Sequence, residues 1–119
     1  IFRKDPNYSL AVEQLEFISF FTNPLDILHH VFHSLSEIER ATHIYSKGPT
    51  TMLSFDVTFG LFVCVILSSN IPEFMRIAMF VDQYTPIRGL SPDFEFALAK
   101  LSTASIHLQN RVQSQINFV

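Results

Sequence analysis

The sequence predicts an all-α domain, and three observations carry that prediction. Only three glycines and six prolines occur in 119 residues, too few for the tight turns of a sheet protein yet enough to punctuate helices. Apolar residues recur at three- and four-residue intervals in one segment after another. Helix-starting residues also repeat: a capping side chain, a proline and an acid follow one another at Asn23-Pro24 with Asp26, and again at Ser91-Pro92-Asp93. The expectation is about five helices with short connections, packed as one layered core.

The first helix is expected over Ser9–Thr22, starting at a Ser9 cap, with Leu10, Leu15, Ile18 and Phe21 among its apolar residues. Asn23-Pro24 ends it and starts the second, which runs to about Ser46 with Leu25, Leu28, Val31, Phe32, Leu35, Ile38 and Tyr45 at helical spacing. Lys47 and Gly48-Pro49 supply a stop, and residues 48–53 read as a short loop. Ser54 can cap the third segment, which is apolar almost all the way round from Val57 to Leu67. Its β-branched residues would suit a buried strand, but its length favours a central helix. Asn70-Ile71-Pro72 breaks it, and a fourth helix is expected from Pro72-Glu73 to about Tyr84. Residues 85–90 form a loop. The fifth helix starts at Pro92, reaches Arg111 or beyond, and sets Phe94, Leu98, Leu101, Ser105 and Leu108 in one stripe.

Composition narrows the function classes. Residues 1–119 are read as a single domain, long enough to bury a core without staples. Apolar residues make up 48% and charged ones 16%, which excludes a self-repelling disordered tail. Eight basic against eleven acidic side chains give a net charge of −3, and this argues against a nonspecific nucleic-acid binder. A single cysteine rules out an internal disulfide, a zinc ribbon and a CxxC redox pair, and makes a reducing, cytoplasmic compartment the default. The apolar run of the third segment is shorter than the roughly 20 residues a membrane-spanning helix needs. The opening IFRKDPNY has no apolar stretch behind its basic pair, so it is not read as a signal peptide. The chain begins at Ile1 rather than Met, as a fragment of a longer protein would.

Few groupings of side chains suggest chemistry. His29 and His33 lie four apart, with His30 and Asp26 near them, at a spacing used by helices that supply two imidazoles to a metal. No HExxH pattern or placed third ligand accompanies them, and a solvated helix face is the plainer reading. Cys64 has no neighbouring base or cation and reads as a small core residue. The basic residues Arg40, Lys47, Arg76, Arg88, Lys100 and Arg111 form no stripe and read as solvated surface. Neither a GxSxG elbow nor a Gly-rich phosphate loop is present, so hydrolase and NTPase readings lack support and no cofactor or metal is expected. Asp56 remains. It lies in the first turn of the most apolar segment, where a carboxylate favours the helix dipole by about 0.3–1 kcal/mol. Alternatively it is an acid presented at the tip of a rigid helix to a cationic group on a partner.

The run DVTFGLFVCVILSSNIPEFMRIAMFVDQY, followed by SPDFEFALAKLSTASIHL, resembles the vacuolar-protein-sorting-9 (VPS9) domain, the exchange-factor domain for early-endosomal Rab GTPases. Asp56, the helix to Ser69, Asn70 and Pro72 fall in the family's register, and TNPLDILHHVFHSLSEI resembles its preceding Pro-anchored helix. Residues 23–109 carry the resemblance. It implies a guanine-nucleotide exchange factor for an endosomal, Rab5-class small GTPase, with recruitment to endosomes through flanking segments. In that family an aspartate enters the nucleotide site, engages the phosphate-loop lysine and opposes bound magnesium. Asp56 would be that catalytic residue, and Gly60, Asn70, Phe96 and Ala99 would lie at the partner-binding face. The departures are specific: Phe96 stands where the family has the first of two tyrosines, Ala99 at a threonine, Gly60 at a proline, Cys64 at a tyrosine and Ile71 at a proline. Two other readings keep the helical fold: a GTPase-binding or scaffolding module without catalysis, and a plain helical interaction domain in which Asp56 only meets its helix dipole.

Overall fold

Five α-helices succeed one another: α1 (Ser9–Glu16), α2 (Pro24–Ser46), α3 (Phe55–Ser68), α4 (Phe74–Tyr84) and α5 (Pro92–Asn117). A 3-10 segment (Phe17–Phe20) joins α1 to α2, and no strand occurs among the described residues. The computed structural model describes residues 8–46, 55–86 and 88–117, with the backbone alone for 43–46, 55, 56 and 111–117. The loop assigned to 48–53, the Lys47 stop, the Ser54 cap and Arg111 lie outside the described residues or side chains. The fold is all-α, as expected.

The first helix is shorter than its periodicity suggests. Its cap position is Tyr8 rather than Ser9, with no capping side-chain bond, and it gives way to the 3-10 segment after Glu16. Ser19 Oγ donates to the Glu16 carbonyl at 3.1 Å, a local bond that competes with helical continuation. Phe21 is already extended (φ −114°, ψ 146°), the backbone that leads into Asn23-Pro24. The tightened turn keeps Ile18 fully buried beside Leu15 while Phe17, Phe20 and Phe21 face outward.

α2 starts where the sequence places it. Asn23 Oδ1 accepts the Leu25 N–H at 2.9 Å, satisfying one of the donors a helix start leaves open. Its core face is Ile27, Leu28, Val31, Leu35, Ile38 and Ala41, so Ile27 takes the buried position expected of Leu25, which is exposed. α2 touches every other element and is the axis of the fold. Ser34, fully buried on it, donates to the Ala11 carbonyl of α1 at 2.8 Å.

α3 is a helix rather than a strand, and it is not buried all round. Phe62, Val63, Val65 and Ile66 enter the core, while Val57, Gly60, Cys64 and Leu67 are exposed. Cys64, expected in the core, therefore stands on the surface. α4 begins two residues later than expected. Glu73 is its cap rather than part of its first turn, in the left-handed region (φ 58°, ψ 37°), and its carbonyl accepts the Ile77 N–H at 3.0 Å. A non-glycine residue pays about 1–2 kcal/mol for that conformation. Glu73 also pairs with Arg76 at 3.1 Å, but both side chains are exposed and the pair contributes little.

Gly89, at φ +79°, turns the chain into α5, where Ser91 Oγ accepts the Phe94 N–H at 3.3 Å. The α5 stripe is broader than expected. Leu101 and Ser105 are buried; Phe94, Leu98 and Leu108 are half-buried; Ala97 and Ala104 sit fully inside, where small side chains allow close packing. Lys100 is also inside, at 3% exposure, and this corrects its reading as a solvated surface charge.

Candidate functional site

The site follows from what α3 leaves uncovered. Among its described side chains the exposed ones are separated by three, four and three positions, so Val57, Gly60, Cys64 and Leu67 form one outward stripe over three turns. The stripe carries no charge. Val57 is 48% and Leu67 63% exposed, and space is open beside Gly60, where an added Cβ would meet nothing within 4 Å. Asp56 stands at the N-terminal end of this stripe by its backbone, in the first turn of α3; its side chain is outside those described.

α5 lies against α3. The Phe59 ring of α3 meets the His107 ring of α5 edge-on, with centroids 5.8 Å apart. On α5, Phe96 is 46% exposed and Ala99 is exposed one turn further on. Lys100 Nζ lies 5.4 Å from the Phe96 ring centroid, within cation–π range. Burial disfavours the ammonium and lowers its pKa below the usual lysine value. The Lys100 stem and head thus support Phe96 from within the fold. Thr103 Oγ1 donates to the Ala99 carbonyl at 2.8 Å, so its hydroxyl is already engaged one turn below Ala99.

Asn70 closes the far end of α3. Its side chain is exposed, and its backbone N–H donates to Glu16 Oε2 of α1 at 2.8 Å. Ser69 Oγ donates to the Val65 carbonyl at 2.6 Å just before it. The five residues singled out in sequence are therefore divided between α3 and α5, and Ala99 lines a depression between α5 and α4. Asp56, Gly60 and Asn70 follow α3 from its start to just past its end, while Phe96 and Ala99 share the exposed side of α5.

An uncharged, exposed helical stripe has the character of a contact surface. A comparison with protein families identifies the domain. The model of the Vacuolar sorting protein 9 (VPS9) domain matches residues 8–112. The chain belongs to the VPS9 family. Comparisons with curated proteins and with solved structures return no match.

VPS9 membership implies an exchange-factor type of function with a small GTPase as partner. The VPS9 match includes α1, whose Glu16 holds the Asn70 backbone, as well as the helices that carried the sequence resemblance. No helix among the described residues is long and apolar enough to cross a membrane.

Two features of this VPS9 domain escaped the sequence reading. Lys100 lies four residues after Phe96, so the spacing alone would have put the two on adjoining turns, but its burial is decided by α5 packing. The α3 stripe had a readable sign: Gly60 and Cys64 are the smallest residues in a run of large ones, and both face out.

The cluster of His29, His30 and His33 lies on α2. His29 and His33 are exposed with ring centroids 4.4 Å apart. His30 is half-buried rather than solvated: it stacks on Phe21 at 4.8 Å, and its Nδ1 is 3.1 Å from Gln14 Oε1. Burial lowers its pKa below the usual histidine value, His29 and His33 lower it further, and Asp26 opposes them. Among the described residues no group of three or more His, Cys, Asp or Glu side chains could hold a metal ion.

Proposed function

We propose that this VPS9 domain binds an endosomal Rab GTPase of the Rab5 class and promotes release of its nucleotide, with Asp56 as the inserted acid. The observation that carries the reading is the uncharged, exposed stripe of α3 with Asp56 at its N-terminal end. A GTPase switch region seated on Val57, Gly60, Cys64 and Leu67, and against Phe96 and Ala99 of α5, would bring its nucleotide site toward the start of α3. A carboxylate entering that site competes with phosphate oxygens for the phosphate-loop lysine and repels the anionic nucleotide. Each tenfold gain in release needs only about 1.4 kcal/mol of differential stabilisation. Recruitment to endosomes through flanking segments belongs to the same proposal.

The test is release of a fluorescent guanine nucleotide from a panel of purified Rab GTPases. The domain should accelerate release from at least one endosomal member, and Asp56→Ala should reduce that acceleration by at least about tenfold while the circular dichroism is unchanged. No acceleration with any member of the panel would overturn the exchange reading.

A second reading is favoured by two side chains. Phe96 and Ala99 offer no hydroxyl where the family's tyrosine and threonine stand, and the Thr103 hydroxyl is bonded to the Ala99 carbonyl. A face with those groups missing can hold a GTPase without opening it. That module would form a complex whose nucleotide release rate equals that of the free GTPase.

A further inference from the structure

Two depressions lie between α4 and α5, and of the residues assigned to the GTPase contact only Ala99 lines them. A depression of about 150 Å³ lies between Met79 and Ile106, and one of about 370 Å³ reaches Leu90, Leu98 and Ala99. Asp82 and Ser102 line both, and Ser102 Oγ donates to Asp82 at 3.1 Å, so the two depressions adjoin at that bond and are taken together as one shallow channel. Met79 and Ile106 are 60% and 58% exposed at its walls. From Glu95 to Gln109 the channel follows α5 for about four helical turns, or about 21 Å. Its ionisable lining is entirely acidic: Asp82 toward the middle and Glu95 near one end.

We propose that this channel receives an amphipathic helix of a partner protein, with aliphatic residues on its buried face and lysine or arginine along its flanks. Both walls are helices whose backbone groups are spent on their own ladders. An extended peptide would find no strand edge to pair with, whereas a helix arrives with its backbone satisfied. Met79, Leu90, Leu98 and Ile106 supply apolar surface for its buried side chains. The two carboxylates select cations on its flanks. A second copy of this chain is a poorer occupant. A two-fold interface along the channel would bring Asp82 and Glu95 toward their own counterparts in a protein already at −3. The proposal does not require exchange activity, but at Ala99 the helix and a GTPase would meet the same surface.

The probe is a fluorescein-labelled, designed four-turn helix with leucine on one face and lysine on its flanks, and a counterpart with glutamate in place of each lysine. Anisotropy titration against the whole chain should show the lysine peptide binding at least about tenfold more tightly than the glutamate peptide. Asp82→Lys with Glu95→Lys should reverse that order, and Met79→Glu with Ile106→Glu should weaken both peptides. Should the charge-reversed variant fail to fold, Asp82→Asn with Glu95→Gln should bring the two affinities together. Equal affinity of the two peptides for the native chain overturns the proposal. So do binding indifferent to the Met79 and Ile106 substitutions, hydrogen-exchange protection confined to α3, and a dimer in sedimentation that Ile106→Glu dissolves.

Discussion

His30 shows how a polar side chain comes to hold a fold together through its uncharged form. Its ring lies between Phe21 and Phe17, with centroids 4.8 and 5.4 Å away, while His29 and His33 crowd it from the exposed side of α2. A proton placed there loses solvation and meets two further imidazoles, with Asp26 offering only partial compensation. The folded pKa is therefore below that of the unfolded chain, which is about 6.5. As pH falls through that value the unfolded chain takes up the proton first, so stability declines until the native His30 is itself protonated. Urea midpoints measured at intervals from pH 7 to about pH 5 should fall accordingly. His30→Phe, which keeps a ring against Phe21, should flatten the dependence. Lys100 is the opposite case at this scale: it carries its charge into the interior and places it against Phe96, where the ring answers part of the lost hydration.

At the scale of elements, α3 contributes its two sides to different purposes. Phe62, Val65 and their neighbours belong to the core; Val57, Gly60, Cys64 and Leu67 do not. Leu67→Glu should therefore leave the unfolding midpoint within about 0.5 kcal/mol of the native chain, since the side chain is already mostly in water. The same substitution should abolish a GTPase complex in a pull-down or titration, because a carboxylate would be desolvated within an uncharged contact. α2 and α5 were legible in sequence because their starts are chemically explicit: Asn23 Oδ1 and Ser91 Oγ bond the helix starts they precede. The ends and faces that were not legible are those set by neighbours. Ser9–Thr22 reads as one helix until Ser19 bonds back to Glu16 and the turn tightens. Cys64 reads as core because the run around it is apolar on every side, and the side left bare is set by how α1, α2 and α5 pack against α3. Among the candidate residues, Gly60, Asn70, Phe96 and Ala99 were found through a resemblance, since no pairing of charges or ligands distinguishes them.

Across the whole molecule, α2 determines how the parts share stability. Every other element rests on it, and its core residues Leu28, Val31 and Ile38 are fully enclosed. Leu28→Ala should cost about 2–5 kcal/mol, read as a loss in the chemical-denaturation midpoint with one cooperative transition retained. The candidate face lies on α3 and α5, so the scaffold and the interface can be damaged separately. Glu16 links them: it ends α1 and accepts the backbone N–H of Asn70 just past α3. Through that bond the element that opens the described chain fixes the far limit of the proposed contact surface.

Gly60 carries the last consequence. It occupies an exposed position in the middle of α3, where alanine is favoured by about 1 kcal/mol and, with open space around the position, would collide with nothing inside the domain. Gly60→Ala should thus raise the melting temperature. Were the bare main chain there the seat for a closely approaching GTPase backbone, the same methyl group would hold the two molecules apart. A variant that is hardier alone and a weaker companion would assign the missing side chain to fit rather than to folding.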